Sequence, residues 1–540
     1  MPSLKSVFLS FIASLLLFIT FSSVQTVDPN GVGADLYFAQ AVSKGQIPYR
    51  DFNDTYGPLM HYANGAFMFL GGHDIHSLLA GKIIFKTISM VFFFLTAYRL
   101  MPTIPSLITC LGLIAFTPDF SYNIKSYAVI NVEIMCLWSI VSYFFTSQRA
   151  YIISGFCFAV ILGAIKLNHG ISILLATFVS FILCDLYKFK RPVVKTILSY
   201  LGFSILTLAA ISLFYYLHLK DLDSNEIQQC LPSTFDFTNW SSSIWQGLVG
   251  LVKKSMIGLR SNLINMTFAT LLLAAVLRLA LDFISQCSCL PKLNIFWKDR
   301  ILVVIILLVG ILASNNEYYL FQSDDKSLYA RPFVVMLICY LISEACLISG
   351  VLVQRIVFIL SSALLIINLY TQIKQLQSYK DFDHFFSSQG MRIAVANDPH
   401  DLRTMIQTTD YINQHIPAPV PFFTFPDVAI YYYLSNHLSP SRLVLLDGAL
   451  NIKTYQEIKL INELERKGNK YMVIDNVCYC GISFWGVFGQ NNCVLLYKYM
   501  KKYYKQVAEF GNQPNSNIGT RIYKRIDSPT ITVKSANDLN

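Results

Sequence analysis

The amino-acid sequence predicts an α-helical polytopic membrane protein with about eleven transmembrane helices and a soluble α/β domain at its C-terminus. Of its 540 residues, 54% are hydrophobic and only 14% are charged, and the mean hydropathy is +0.48. Soluble domains contain about a quarter charged residues. Apolar runs recur from Val7 to Ile373 and then stop, which places a domain boundary near residue 375.

Eleven apolar runs are long enough, or nearly long enough, to cross a bilayer as helices. They cover 7–26, 83–98, 105–117, 127–147, 151–165, 169–185, 196–217, 263–284, 301–314, 332–349 and 356–373. The first run also has the features of a signal peptide, because Lys5 precedes it and the small residues Ser22 and Ser23 follow it. Both interpretations put the next loop outside. We therefore predict a membrane domain over 1–374, with its first external loop at 27–82, and an external domain over 375–540.

Basic residues set the predicted orientation. The net charge is +10, but the Lys and Arg residues lie largely in short segments between apolar runs, which argues against nucleic-acid binding. Their density is higher in alternate loops, so the N-terminus is predicted to be cytoplasmic and the C-terminal domain to lie on the periplasmic, extracellular or lumenal side. Disulfides are permitted there among Cys230, Cys478, Cys480 and Cys493, although spacing does not define the partners.

The C-terminal part has the alternating pattern of a small α/β domain. Strands are predicted at 420–425, 443–446, 471–474 and 520–523, and helices at 428–434, 455–466 and 494–507. The polar end at 528–540 is expected to be frayed.

The segment 27–76 has an unusual number of acidic residues for a loop beside a membrane helix. Its five aspartates are Asp28, Asp35, Asp51, Asp54 and Asp74. Two amphipathic helices, near 36–42 and 60–70, are expected to lie in the membrane interface between turns rich in Gly and Pro. This arrangement would hold the carboxylates at the depth of the lipid headgroups.

Two motifs give this sequence a resemblance to a known family. In the first external loop, Asp35-Leu36-Tyr37 and Ala39 precede Gly45-Gln46-Ile47-Pro48-Tyr49-Arg50-Asp51-Phe52, which is followed by Gly57-Pro58-Leu59 and later by Gly71. The second motif is the apolar helix from Gly155 to Lys166, followed by Asn168-His169-Gly170. The chain resembles the polytopic glycosyltransferases of the C superfamily, in particular the family 39 group of protein mannosyltransferases and aminoarabinose transferases. The resemblance covers the whole architecture but only about fifty residues of motif.

This resemblance implies that a carboxylate on the first external loop is the catalytic base and that the donor is a polyprenyl-phosphate sugar. Asp28 is the first choice because it directly follows the first helix, and Asp35 is the second. A carboxylate can take the proton of an attacking hydroxyl, and fixed cations can stabilise a departing lipid phosphate. The cations expected to bind the donor phosphate are Arg50, Lys166, His169 and Arg331, with Arg260 as a further external cation; Asp51 and Tyr49 are additional site candidates.

Most of these residues also have a purely structural interpretation. Asp28 could cap a helix, and Asp35 could favour a helix dipole. Arg50 and Asp51 could simply pair across the turn after Pro48, and Lys166 could extend to the membrane interface. Glu133 lies inside a predicted span, where it is costly without a partner.

The predicted function is an inverting glycosyl transfer from a polyprenyl-phosphate-linked sugar to a hydroxyl of a glycan, lipid or protein at the outer membrane face. The alternative is a transporter or flippase of lipid-linked glycans, but transporters usually place ionisable residues near the bilayer midplane. A membrane-tethered binding protein would not need so many spans. The sequence does not identify the sugar, the acceptor or the lipid carrier. The external acids could hold a divalent metal ion, although no spacing defines such a site.

Overall fold

The structure, a computed structural model, describes most of the chain in separate stretches. These are 31–54, 56–72, 75–116, 124–230, 295–315, 329–349, 385–388, 391–394, 399–426, 428–444, 452–475, 492–511 and 519–526, with isolated positions between them. The predicted spans at 7–26, 263–284 and 356–373 lie wholly or largely outside these residues.

Helices dominate the described residues. The helices before residue 350 are α1 (Gly31–Ser43), α2 (Pro58–Gly71), α3 (Ile75–Leu100), α4 (Thr103–Phe116), α5 (Ile124–Thr146), α6 (Arg149–Ile165), α7 (Leu167–Leu183), α8 (Val193–Leu219), α9 (Ser224–Cys230), α10 (Ile295–Ser314) and α11 (Arg331–Leu347). The later elements are β1 (Phe385–Ser388), β2 (Met391–Ala394), α12 (Pro399–His415), β3 (Phe422–Phe425), α13 (Ile430–Leu434), α14 (Thr454–Arg466), β4 (Tyr471–Asp475), α15 (Val494–Tyr503), β5 (Tyr504–Phe510) and β6 (Thr520–Arg525).

The chain divides into two compact units. We call Met1–Val24, Lys82–Tyr215 and Pro232–Ser378 the helical unit. We call Gln25–Gly81, Tyr216–Leu231 and Tyr379–Asn540 the loop–tail unit, because it contains the first loop and the C-terminal tail.

Four of the described helical stretches are long and apolar enough to cross a membrane. They are Ile75–Leu100, Tyr127–Thr146, Leu167–Lys188 and Val193–Leu219, and α6 is a shorter apolar helix. Leu167–Lys188 is α7 continued by a π-helical turn at Cys184–Lys188. Eight of the eleven predicted runs coincide with helices of the structure. The chain is thus an integral membrane protein, and its described part leaves the number of spans open.

Helices α6 and α7 form a tight hairpin in the helical unit. Lys166 is the single residue between them, and its extended backbone (φ −156°, ψ 106°) reverses the chain. A Cβ atom built on Gly170 would lie 2.2 Å from Gly163 Cα, so the two backbones touch where these glycines face each other. This close approach fixes the position of the hairpin turn.

The tail contains a four-stranded mixed sheet in the order β3-β4-β6-β5. Strands β3 and β4 are parallel, whereas β6 is antiparallel to both β4 and β5. Apolar side chains of α14 and α15 pack on this sheet, including Leu460, Leu464 and Leu496 against Phe423 and Met472. Strands β1 and β2 form a separate antiparallel pair.

The first loop packs against the tail within the loop–tail unit. A Cβ atom on Gly33 of α1 would meet Ile430 of α13, and one on Gly65 of α2 would meet Val42 of α1. The Tyr37 hydroxyl accepts a hydrogen bond from the Ser439 N–H at 2.9 Å. Close helix contacts and a buried hydrogen bond therefore hold α1 between α2 and the tail.

Three sequence-based predictions differ from the structure. The helix predicted near 36–42 exists, but residues 33–41 are all buried in protein, so α1 does not expose one face to the membrane interface. The helix predicted over 494–507 ends at Tyr503, because Tyr504–Phe510 pairs with β6. The predicted strand at 443–446 is not a strand at its described positions, where Val444 N–H donates to a side chain instead of to a neighbouring strand.

Candidate functional site

Only one of the two predicted catalytic carboxylates lies within the described residues. Asp28 lies outside the described residues. Asp35 lies on α1 and is 1% exposed. No acidic residue occupies the first turn of α1, so Asp35 is not placed to favour the helix dipole. Burying a carboxylate costs free energy unless nearby groups compensate its charge. The position of Asp35 inside the loop–tail unit is therefore unlike that of a solvated loop acid.

Tyr49, Arg50 and Asp51 form a compact turn. Tyr49 has a left-handed backbone (φ 71°), and its buried hydroxyl donates to Tyr56 O at 3.0 Å. Arg50 donates twice to Asp51, at 3.0 and 2.9 Å, and the Ile47 N–H donates to the same carboxylate at 2.7 Å. Partial burial of Asp51 opposes its ionisation, but the bonds from Arg50 and Ile47 outweigh this and lower its pKa. The predicted pairing across the turn is confirmed.

A buried carboxylate–histidine pair lies in the same loop, and the sequence analysis did not identify it. His61 Nε2 of α2 is 3.1 Å from Asp54 Oδ2, and both side chains are almost fully buried. The rings of Phe38 and Phe52 stack on each other and approach His61 edge-on, with ring centroids 5.2 and 5.3 Å from the imidazole. The pair thus lies among aromatic rings, and one of these rings belongs to Phe38, which follows Asp35 by one turn of α1.

Residues of the tail form hydrogen bonds with Asn53, which directly precedes Asp54. The Asn53 N–H donates to Arg442 O at 2.9 Å, and Asn53 Oδ1 accepts the Val444 N–H at 2.9 Å. Asn53 and Val444 are both fully buried. Asn53 also begins a glycosylation sequon, but its buried amide is not exposed for modification in this structure. Two hydrogen bonds therefore fix the backbone directly before Asp54.

Arg442 also joins the tail to α9. Its guanidinium lies 3.5 Å from Glu226 and donates to Cys230 Sγ at 3.6 Å. Lys459 of α14 donates to the same Glu226 carboxylate at 2.7 Å. Burial raises the pKa of the Cys230 thiol to about 12, although the nearby Arg442 opposes that rise. Cys230 and Cys493 are free thiols, and Cys478 and Cys480 lie outside the described residues.

Two of the predicted phosphate-binding residues form a polar cluster in the helical unit. At the hairpin turn, Lys166 is buried and its Nζ donates to the Tyr329 hydroxyl at 3.2 Å. His169 Nδ1 lies 2.8 Å from Glu133 Oε1, and the His169 and Tyr329 rings are 4.3 Å apart. The Lys166 ammonium is thus surrounded by protein side chains instead of solvent. Glu133 has the partner that an acid within a span requires.

The other predicted cations are distributed between the units. Arg331 is half-buried at the start of α11, two residues after Tyr329. Arg50 belongs to the loop–tail unit, and Arg260 lies outside the described residues. Within the described residues, no group of three or more His, Cys, Asp or Glu side chains is arranged to hold a metal ion.

The sequence gave only weak indications that Asp54 and His61 belong to the site. Asp54 was one of the five loop acids, and His61 falls in the helix predicted near 60–70. Nothing in their spacing indicates that they pair, because Asp54 belongs to an irregular loop. The hydrogen bond between Val444 and Asn53 joins residues about 390 positions apart. Local sequence patterns do not encode such a contact.

Solved structures provide the comparison with known proteins. The oligosaccharyltransferase of Archaeoglobus fulgidus, in complex with Zn and sulfate, matches with a TM-score of 0.51 and 13% identity over 92% of this chain and 71% of that one. The same enzyme tethered to an acceptor peptide containing the NVT sequon gives 0.47 and 11%, over 93% and 72%. ArnT of Cupriavidus metallidurans in the apo state gives 0.41 and 9%, over 97% and 98%.

No protein-family model matches the sequence, and comparison with curated proteins gives no significant match. The likeness to the first Archaeoglobus structure concerns the fold. The chain accordingly shares its fold with that oligosaccharyltransferase, whose architecture is consistent with the resemblance seen in the loop motif.

Proposed function

We propose that this protein is a glycosyltransferase that moves a sugar from a polyprenyl-phosphate donor to a hydroxyl of a glycan, lipid or protein acceptor at the outer membrane face. In this proposal the N-terminus is cytoplasmic and the tail is external. The observation that supports it best is Asp35, a buried carboxylate on the first loop of a chain with the fold of membrane glycosyltransferases.

The proposed reaction is a single displacement at the anomeric carbon. A loop carboxylate, Asp28 or Asp35, accepts the proton of the acceptor hydroxyl as its oxygen bonds to that carbon. The bond between the anomeric carbon and the phosphate oxygen breaks, the lipid phosphate leaves as an anion, and the configuration inverts. This leaving group requires stabilisation of charge more than protonation.

Lys166 and His169 are the proposed phosphate-binding groups with the best structural support. They are buried and adjacent in one polar cluster, and buried donors interact with an anion more strongly than solvated ones. Arg331 is proposed as a third cation. Arg50, Asp51 and Tyr49 form a self-contained turn, so we propose that they shape the loop, with the half-exposed Arg50 guanidinium open to a phosphate group.

The test is transfer of radiolabelled sugar in membranes from a panel of polyprenyl-phosphate hexoses and pentoses. We expect Asp28→Asn or Asp35→Asn, whichever removes the base, to lower transfer by about 100-fold or more. Asp410→Asn is the matched control, because Asp410 is an exposed acid on α12. Expression of each variant is matched by immunoblot.

The same membranes distinguish the alternative function. If the wild-type protein transfers no sugar from any donor and yet moves lipid-linked glycans across the bilayer, the chain is a flippase. Loss of transfer in both variants, with binding of the donor retained, would assign both carboxylates to the reaction.

A further inference from the structure

His61 has a nitrogen atom that its surroundings do not satisfy. Its side chain is 1% exposed, and neither ring nitrogen makes a hydrogen bond of ordinary geometry to the residues that the structure describes, although Nε2 has the Asp54 carboxylate 3.1 Å away. Leaving a buried polar atom unpaired is costly, so such atoms usually mark a bound water or a missing ligand. The atom that reaches Nδ1 has to project between aromatic rings, because Phe38 and Phe52 both lie edge-on to the imidazole.

The other ring nitrogen limits the chemistry of that group. Asp54 Oδ2 lies 3.1 Å from Nε2, and a facing carboxylate favours a proton on Nε2. In the neutral imidazole, Nδ1 then accepts a hydrogen bond; in the imidazolium, it donates one. A hydroxyl suits both states, because it can donate and accept, whereas a phosphate oxygen suits only the imidazolium.

We propose that the Asp54–His61 pair is a hydroxyl-recognition site, in which His61 Nδ1 hydrogen-bonds one hydroxyl of a sugar substrate. Asp54 orients the imidazole, and the hydrogen bonds of Asn53 to the tail hold Asp54. The proposal rests on the proposed glycosyl transfer for its substrate class. Its location is the loop that also contains Asp35.

The neighbouring turn of α2 supports a polar ligand. Asn64 follows His61 by three positions, which places the two side chains next to each other on the helix surface. Asn64 is 1% exposed, and its Oδ1 has no hydrogen-bond partner among the described residues. A sugar presents several neighbouring hydroxyls, so it can satisfy both atoms, whereas an isolated water satisfies fewer of them.

The test is a binding experiment on the full-length protein in lipid nanodiscs, with sugar transfer not required. One arm uses polyprenyl-phosphate glucose and mannose, their single-deoxy analogues, and polyprenyl phosphate without sugar. A second arm uses methyl glucoside and methyl mannoside with the corresponding deoxy analogues, which represent acceptor hydroxyls. Wild type is compared with His61→Phe, which keeps an aromatic ring and removes both nitrogens.

We expect that deleting one particular hydroxyl weakens wild-type binding by about 10- to 100-fold, the usual value of a hydrogen bond to a charged or buried partner. Deleting that hydroxyl should not weaken binding to His61→Phe any further, because the deletion and the substitution remove the same hydrogen bond. The arm in which this occurs identifies the donor or the acceptor as the source of the hydroxyl.

His437→Phe is the matched control. His437 is also a buried histidine, its ring lies edge-on to Phe422 at 5.0 Å, and its Nε2 has no hydrogen-bond partner within the described part of the chain. It faces the Ser435 hydroxyl and carbonyl instead of a carboxylate. Binding and the pattern of deoxy penalties should be unchanged in this variant.

Asp54→Asn covers the case in which His61→Phe does not fold. This isosteric change removes the charge that orients the imidazole, and we expect a smaller loss, about 3- to 10-fold, that also disappears for the same deoxy analogue. The proposal is overturned if no hydroxyl deletion weakens wild-type binding, or if the penalties are equal in all variants; Nδ1 then binds a water only. Sugar-specific binding without any transfer would contradict the proposed function but would still support the hydroxyl-recognition site.

Discussion

Asp51 illustrates how a loop acid can stabilise its own turn. It accepts hydrogen bonds from the Arg50 side chain and the Ile47 backbone, and these lower its pKa below the ordinary value of 3.8. A carboxyl with a lowered pKa stabilises the folded state above its ordinary pKa, and that contribution is lost as the pH falls through the folded value. The Arg50 side chain is 49% exposed, so its share of this stabilisation is small.

We therefore predict that Asp51→Asn lowers stability by about 1 kcal/mol at neutral pH, mainly through the charge-assisted bond from Ile47. The difference from wild type should shrink below about pH 4. Arg50→Met should cost about 0.5 kcal/mol or less. Thermal unfolding of purified protein between pH 3 and 7 tests this. Equal losses in both variants, or a loss that persists at pH 3, would contradict it.

Glu133 is an acid among apolar residues, and a histidine compensates its burial. It lies within a helix that can cross a membrane, and its carboxylate faces His169 at 2.8 Å. The sequence indicated that this acid requires a partner, but it did not identify which residue supplies it. His169 was expected near the site from the second motif, and the structure joins Glu133 and His169 in one cluster with Lys166 and Tyr329.

At the scale of elements, the α6–α7 hairpin positions this cluster. The turn is a single residue, Lys166, and the contact between Gly163 and Gly170 sets the distance between the helices. Any side chain at Gly170 would collide with backbone atoms, which cannot move aside by changing a rotamer. The hairpin glycines therefore determine where Lys166 and His169 lie.

Gly170→Ala should thus be strongly destabilising, by about 2 kcal/mol or more, since it forces two backbones apart. Gly202→Ala is the control, because a Cβ on Gly202 of α8 meets nothing within 4 Å. Its effect should be neutral or stabilising by up to about 1 kcal/mol, from helix propensity. The measurement is thermal unfolding in detergent, together with donor binding. A neutral Gly170→Ala would show that the hairpin is looser than this structure indicates.

The elements differ in how well the sequence predicts them. Apolar length alone located eight of the helices, because helices that face lipid must be apolar throughout. The prediction that α1 exposes one face was wrong, since its alternation of apolar and polar residues resembles that of a half-exposed helix. Its polar residues in fact face tail residues: Gln40 donates to Asn436 Oδ1 at 3.3 Å. Likewise, residues 504–507 were predicted as the end of a helix, because their pairing with the strand at 520–525 is not visible in the local pattern.

For the whole molecule, the first loop and the tail belong to one unit even though hundreds of residues separate them. The sequence could predict that both are external, and the loop motif selected the segment of interest. It could not predict the contacts of Asn53 with Arg442 and Val444, because an irregular chain segment has no periodicity to read. The tail thereby holds the loop at the residue directly before Asp54.

This organisation predicts that a loop residue without any chemical role affects transfer. Asn53→Ala removes one of the two acceptors of the buried Val444 N–H, which also donates to Arg442 O at 3.0 Å, and this should cost about 1 kcal/mol of stability. Because the same change frees the peptide before Asp54, we expect sugar transfer to fall about tenfold or more, with kcat affected more than KM. Asn53→Asp retains an oxygen acceptor for Val444 and should recover much of the activity.

Asn462→Ala separates this effect from general destabilisation. The Asn462 side chain also forms hydrogen bonds to the backbone of a residue distant in sequence, at 2.8 Å to both the N–H and the carbonyl of Val533. Asn462 lies in α14 and not in the first loop. Its loss of stability should be similar and its transfer activity close to wild type at a temperature where both variants are folded. If the two alanine variants lose activity in proportion to stability, the tail acts only as a folding partner; if only Asn53→Ala loses transfer, the tail positions the reactive loop.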